Sequence, residues 1–205
     1  MWRSSTKRSS VQGFIQPCIP TVTDKAPEGP MWIHEIKHDG YRMIAKRAES
    51  MRLYTRNGFD WTKRYPRITR ALQALLIESV IIDGEAVWIG PDGIADFEKL
   101  HSRAFDEDVR LYAFDLLELN GQDMRSEPLE RRRSILQAVL KRSPDIPFSE
   151  HFEGEGPRIY EHACRFGLEG IVSKRRDLPY QSGKSKRWLK TKNPNSPAMT
   201  RLEQG

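Results

Sequence analysis

Between Met31 and Lys46 apolar and polar residues alternate, and the dipeptide Asp39-Gly40 interrupts the alternation. A period of two marks half-buried strands, and an Asp-Gly pair readily supplies the positive φ angles of a tight hairpin. Two short strands around a turn are therefore expected, which commits the chain to sheet. Residues 51–56 alternate again and Asn57-Gly58 offers the next turn, so the pattern predicts a β meander.

Helical spacing follows at Ile68, Leu72, Leu75 and Leu76, predicting a helix over 64–78, and Val80 to Trp88 returns to strand character. Asp96 is expected to open a short helix through His101, Leu111 to Leu117 to form a buried strand, and Asn120-Gly121 to turn the chain. A further helix starts near Pro128, with Leu129, Arg133, Leu136, Val139 and Leu140 along it and Arg131 and Arg132 facing solvent. Arg158 to Phe166 reads as another, stopped by Gly167, before final strands at Gly170–Lys174 and Lys186–Lys192. Irregular interleaving of this kind is α+β and admits several topologies.

No repeat or low-complexity linker divides the 205 residues. One domain over 13–193 is expected, with residues 1–12, basic and free of acids, as a disordered arm, although a short leader has the same composition. Residues 194–205, which include Pro194 and Pro197, are expected to be a loose tail. Lys and Arg outnumber Asp and Glu by 34 to 28, and the net charge of +6 points to a polyanionic partner. Two cysteines are too few for a disulfide scaffold or a four-cysteine zinc site and fit a reducing cytoplasm. No apolar run approaches the roughly 18 to 20 residues of a membrane-spanning helix.

His34-Glu35-Ile36-Lys37-His38 matches H-E-x-x-H, in which two histidines one helical turn apart bind zinc. On a strand those positions lie roughly 13 Å apart, at about 3.3 Å per residue, and one ion cannot join them. A zinc protease stays as the remote alternative, which a helix through 31–40 would revive. Gly183-Lys184-Ser185 lacks the first glycine of a phosphate-binding loop and reads as a basic loop.

On extended backbone Glu35, Lys37 and Asp39 share a face, either as a solvated edge or as convergent ionisable groups. Asp83 and Glu85 share a face within an apolar strand, where buried carboxylates need partners. Magnesium would fulfil that need, with Glu169 contributing from a second direction. Lys190 and Lys192 also point one way, and a triphosphate would relieve their repulsion; the alternative is an exposed basic edge strand.

Taken in order, these segments resemble the adenylation domain of ATP-dependent DNA ligases, especially bacterial ligases of the non-homologous end-joining type. Lys37-His38-Asp39-Gly40-Tyr41-Arg42 is similar to the family's K-x-D-G-x-R, and Thr55-Arg56-Asn57-Gly58 to its next motif. Asp83-Gly84-Glu85-Ala86-Val87 resembles the acidic motif and Phe114-Asp115-Leu116-Leu117 the aromatic one. Glu169-Gly170-Ile171-Val172-Ser173-Lys174 and Trp188-Leu189-Lys190-Thr191-Lys192 complete a series that spans nearly the whole chain. One short motif arises by chance; six in sequence are specific.

The resemblance implies the nucleotidyltransferase fold, ATP-grasp-like, with antiparallel sheets and helices around a nucleotide cleft. It implies that Lys37 attacks the α-phosphorus of ATP and becomes adenylated, for transfer of AMP to a DNA 5′-phosphate in strand joining. An ordinary lysine, with a pKa near ~10.4, is almost wholly protonated at neutral pH, so such a site needs cations and desolvation. Lys190, Lys192 and magnesium (or manganese) are the groups to supply them. Phe114 would stack on adenine, Glu35 lie beside the base, and Glu85 contact ribose or metal. Glu169 would hold metal, Lys174, Lys190 and Lys192 would meet phosphate, and Arg42 and Arg56 would meet ribose or the DNA 5′-phosphate. Asp39 and Gly40 would set geometry.

Ligases of this kind carry an oligonucleotide-binding-fold domain after the last motif, where 13 residues remain here. The expectation is a module acting on nicked or broken duplex DNA with a separate end-joining or DNA-binding partner, in a bacterial cytoplasm and at the nucleoid, with no membrane. A non-catalytic DNA-end-binding module and an RNA ligase or capping-type nucleotidyltransferase are the alternatives.

Overall fold

A computed structural model describes residues 13–199. Two five-stranded sheets form its frame. The first contains β1 (Cys18–Val22), β2 (Trp32–Ile36), β8 (His151–Phe152), β9 (Gly170–Arg175) and β10 (Gly183–Lys192), in the order β1-β10-β9-β2-β8. The second contains β3 (Tyr41–Arg47), β4 (Met51–Thr55), β5 (Val80–Val87), β6 (Arg110–Leu119) and β7 (Gln122–Asp123), in the order β4-β3-β5-β6-β7. All strand pairs are antiparallel except β1 with β10. This is the expected α+β class.

Strand alternation decides what each face touches. On β3 and β5, Met43, Ala45, Val80, Ile82 and Ala86 pack into the core under α1 (Pro66–Ala74) and α3 (Leu129–Leu140). Ile44 and Ile81 face the other way, joining Ile33, Phe114, Leu117 and Trp188 in a second core between the sheets. Asp83 and Glu85 share the Ile81 face of β5, as their spacing predicts. Helix α4 (Gly156–Arg165) covers the far side of the first sheet through Ala163, against Ile171. The short α2 (Phe97–Ser102) is capped by the Asp96 carboxylate on the Lys99 amide.

Besides Gly183-Lys184-Ser185, expected as a basic loop but opening β10 and paired with β1, four expectations need correction. The helix expected over 64–78 stops at Ala74; Leu75 turns extended, and Leu76 projects 95 % exposed. Arg132, expected in solvent, is fully buried and grips the equally buried Asp115 through Nε and Nη2, both at 2.7 Å. The tail does not loosen at 194. Asn193 bonds the carbonyls of Leu168 and Glu169, and Ser196 and Ala198 are buried. The remaining tail, residues 200–205, and the basic arm of residues 1–12 lie outside the described residues. The expected hairpin at Asp39-Gly40 is the fourth, and it shapes the site described next. Among the described residues no helix is long and apolar enough to cross a membrane.

Removing one partner of a buried ion pair strands the other charge. Arg132→Met is expected to lower stability by about 3–5 kcal/mol in urea denaturation, whereas replacing Arg132 and Asp115 together by apolar residues costs much less.

Candidate active site

The four residues from Lys37 to Gly40 carry the chain from β2 in the first sheet to β3 in the second. β2 and β3 do not pair. The Lys37 amide donates to the Gly170 carbonyl of β9 at 3.0 Å, while Tyr41 already lies opposite Ala86 of β5. Gly40 is needed for close approach and not for a positive φ: a Cβ there would sit 2.3 Å from the Ala86 oxygen. Gly170 meets both demands, with φ at 135° and a Cβ position 2.1 Å from the Thr191 oxygen. H-E-x-x-H is extended too, with His34 buried on the Ser173 hydroxyl and the His38 ring tilted against Tyr112, so the pair holds no common ion.

The crossing opens onto two cavities. A smaller one of about 160 Å³ is lined by eight of the residues singled out in the sequence: Glu35, Lys37, Arg42, Arg56, Glu85, Phe114, Lys174 and Lys190. A larger cleft of about 770 Å³ shares Lys37 and adds Asp39 and Glu169. Lys192 lines neither; its ammonium rests 3.9 Å from the Met199 sulfur.

Lys37 Nζ donates to Glu169 Oε2 at 2.5 Å, so the two motifs that bracket the crossing meet directly. Burial pushes the Glu85 carboxyl up to about 7; Lys37 and Arg42 oppose the shift, and Glu169 and Asp83 add to it. Burial likewise pulls the His38 imidazole down to about 4, which makes it neutral at physiological pH. The Lys190 ammonium is lowered by burial and then by Lys192, Lys37 and Arg56. Lys37, Arg56 and Lys190 therefore bring like charge together along the lining of the smaller cavity.

Arg42 is held rigidly. Burial works against its charge, but Asp83 outweighs burial and raises its pKa, accepting from Nε and, at 2.8 Å, from Nη2. Tyr180 donates its hydroxyl to the same carboxylate at 2.6 Å. Asp83 thus serves Arg42 and is not free for a metal. The Arg42 guanidinium lies 4.5 Å from the Phe114 ring centroid.

Lys174 is the most deeply set of the lysines lining the smaller cavity. It is 2 % exposed, its ammonium is 2.7 Å from Glu35 Oε1, and the Phe114 and Trp188 rings lie 4.2 and 4.1 Å from it. Burial pulls it down to about 8 against the attraction of Glu35. It lines the smaller cavity from among these groups. The sequence reading missed the Asp83–Tyr180 support and the apolar wall of Ile19, Pro20 and Val172. Only Val172 carried a signal, as an apolar residue between Glu169 and Lys174.

Residues 16–192 match the family described as the ATP dependent DNA ligase domain. The chain belongs to this family. This ligase domain is 36% identical over 186 residues to the multifunctional non-homologous end joining protein LigD of Pseudomonas aeruginosa, covering 87% of this chain and 22% of that protein. It is 33% identical over 167 residues to the LigD repair protein of Mycobacterium tuberculosis, covering 80% of this chain and again 22% of the relative. The domain thus spans about a fifth of the length of those relatives. A solved mycobacterial DNA ligase D complexed with ATP and MES superposes with a TM-score of 0.78 at 32% identity, covering 87% of this chain and 60% of that one. The nucleotidyltransferase fold expected from the motifs is the fold present.

Two outcomes follow. Because folded Glu85 keeps a proton up to about 7 while an unfolded glutamate loses it near ~4.5, native stability falls as pH rises between those values. Glu85→Gln is expected to flatten that fall and to melt above wild type at pH 8; superimposable pH profiles would refute the assignment. Gly40→Ala, which drives a methyl into the Ala86 carbonyl, is expected to cost about 1–3 kcal/mol of stability by thermal or urea unfolding.

Proposed function

We propose that Lys37 attacks the α-phosphorus of ATP, forming a P–N bond to AMP as the bond to pyrophosphate breaks, and that AMP then passes to a DNA 5′-phosphate. The observation that carries this reading is the position of Lys37 where two cavities meet, with fixed cations on one side and Glu169 on its ammonium. Lys37 must shed a proton to attack, and Glu169 is the acceptor already in contact. Phe114, Glu35 and Val172 provide a flat aromatic, a carboxylate and an apolar wall suited to a purine. Arg56 and Lys190 supply charge for phosphate oxygens as negative charge shifts to the leaving pyrophosphate.

Magnesium or manganese fits beside Lys37. Glu169 raises the cost of charge on Glu85, which a divalent cation relieves, and magnesium takes one or two carboxylates together with substrate phosphates. Bound there, the ion would neutralise the triphosphate. Asp39 and Gly40 keep the crossing in shape. Nicked or broken duplex DNA as substrate, a separate end-joining partner and a place in the bacterial cytoplasm at the nucleoid complete the proposal; they rest on the LigD relatives.

Incubation with magnesium and ATP labelled at the α-phosphate tests it. Wild type is expected to carry a label that survives denaturation, and Lys37→Ala none. A labelled Lys37→Ala would exclude the assigned nucleophile, and an unlabelled wild type that binds DNA would leave a DNA-end-binding module.

A further inference from the structure

Arg133 lies on α3, behind the cleft, and lines neither cavity. Its side chain is 3% exposed. Nη1 donates to Glu35 Oε1 at 2.7 Å and to the Phe114 carbonyl at 2.9 Å. Nη2 donates to the Ser149 carbonyl at 2.6 Å, and the guanidinium lies 4.5 Å from the Phe148 ring centroid. Glu35 belongs to β2 in the first sheet, Phe114 to β6 in the second, and Ser149 to the segment entering β8. One guanidinium therefore bonds both sheets at the two residues that flank the smaller cavity.

We propose that Arg133 is the positioning residue for base recognition: it fixes the Glu35 carboxylate relative to the Phe114 ring and so sets the slot a purine enters. This inference rests on the nucleotide reading of the smaller cavity. Lys174 secures Glu35 from the cavity side, at 2.7 Å, but bonds no backbone of the second sheet and cannot set that spacing alone. Lysine in place of Arg133 would keep the charge on Glu35. It would lose the planar fork that reaches the Phe114 and Ser149 carbonyls together. The phosphate side of the site, with Arg56 and Lys190, has no bond to Arg133 and is untouched by the change.

The test separates base from phosphate. In a Lys37→Ala background, which prevents turnover, calorimetry gives the Kd of ATP and of inorganic tripolyphosphate with Arg133 intact and with Arg133→Lys. The expected result is ATP binding weakened by about tenfold or more, the change that losing a hydrogen bond from a charged donor commands, with tripolyphosphate binding unchanged. Adding Glu35→Gln to Arg133→Lys is expected to weaken ATP binding by less than the sum of the single effects. Unchanged ATP binding, a parallel loss for both ligands, or additivity with Glu35→Gln would each overturn the proposal. Arg133→Lys keeps a positive charge beside the Glu35 carboxylate, so the buried acid is not stranded. If Arg133→Lys produces this ATP–tripolyphosphate split yet the wild type takes no covalent label, the adenylation reading alone fails.

Discussion

Everything in this domain turns on a four-residue crossing between two sheets that has no room for a side chain at Gly40. Because the Ala86 carbonyl of β5 occupies the place of a Cβ, the end of the crossing lies directly against the second sheet as the chain enters β3. Lys37 is thereby fixed at the seam, its amide tied to β9 and its ammonium held by Glu169 where the two cavities meet. A true hairpin there would have left it on an edge in solvent.

A seam between sheets is a costly place for charge, and the domain meets that cost by pairing. Asp83 takes Arg42 and Tyr180, Asp115 takes Arg132, and Glu35 takes Arg133 and Lys174. These pairs fix positions more than they add stability. Around them Lys190, Arg56 and Glu85 are left partly unsatisfied, and they surround Lys37. The division between neutralised scaffold and uncompensated rim is what makes the cleft ready for an anionic nucleotide.

Much of the site was legible because strand geometry is rigid. Period two put Asp83 with Glu85 and Trp188 with Lys190, and the motif order assembled eight lining residues of a single cavity. What sequence could not give was partnership. Alternation on both sides of Asp39-Gly40 says that two strands exist, not that they pair with each other. Helical spacing on α3 set Leu129, Arg133 and Leu136 inward, but Arg132 is buried because Asp115 waits opposite, 17 residues earlier in the chain. The contacts of Lys174 with Phe114, Trp188 and Glu35 likewise join three separate elements, and no spacing along the chain announces them. Loss of periodicity after 193 suggested looseness, whereas Asn193 and Ser196 are held by contacts that carry no period.

The most direct examination of this account is a crystal structure of the protein with ATP in the absence of divalent metal. It should show the purine against Phe114 and Glu35, and the α-phosphorus about 3–3.5 Å from Lys37 Nζ, with Glu169 released or shared. ATP seated elsewhere, with Lys37 still closed on Glu169 and the smaller cavity empty, would contradict it.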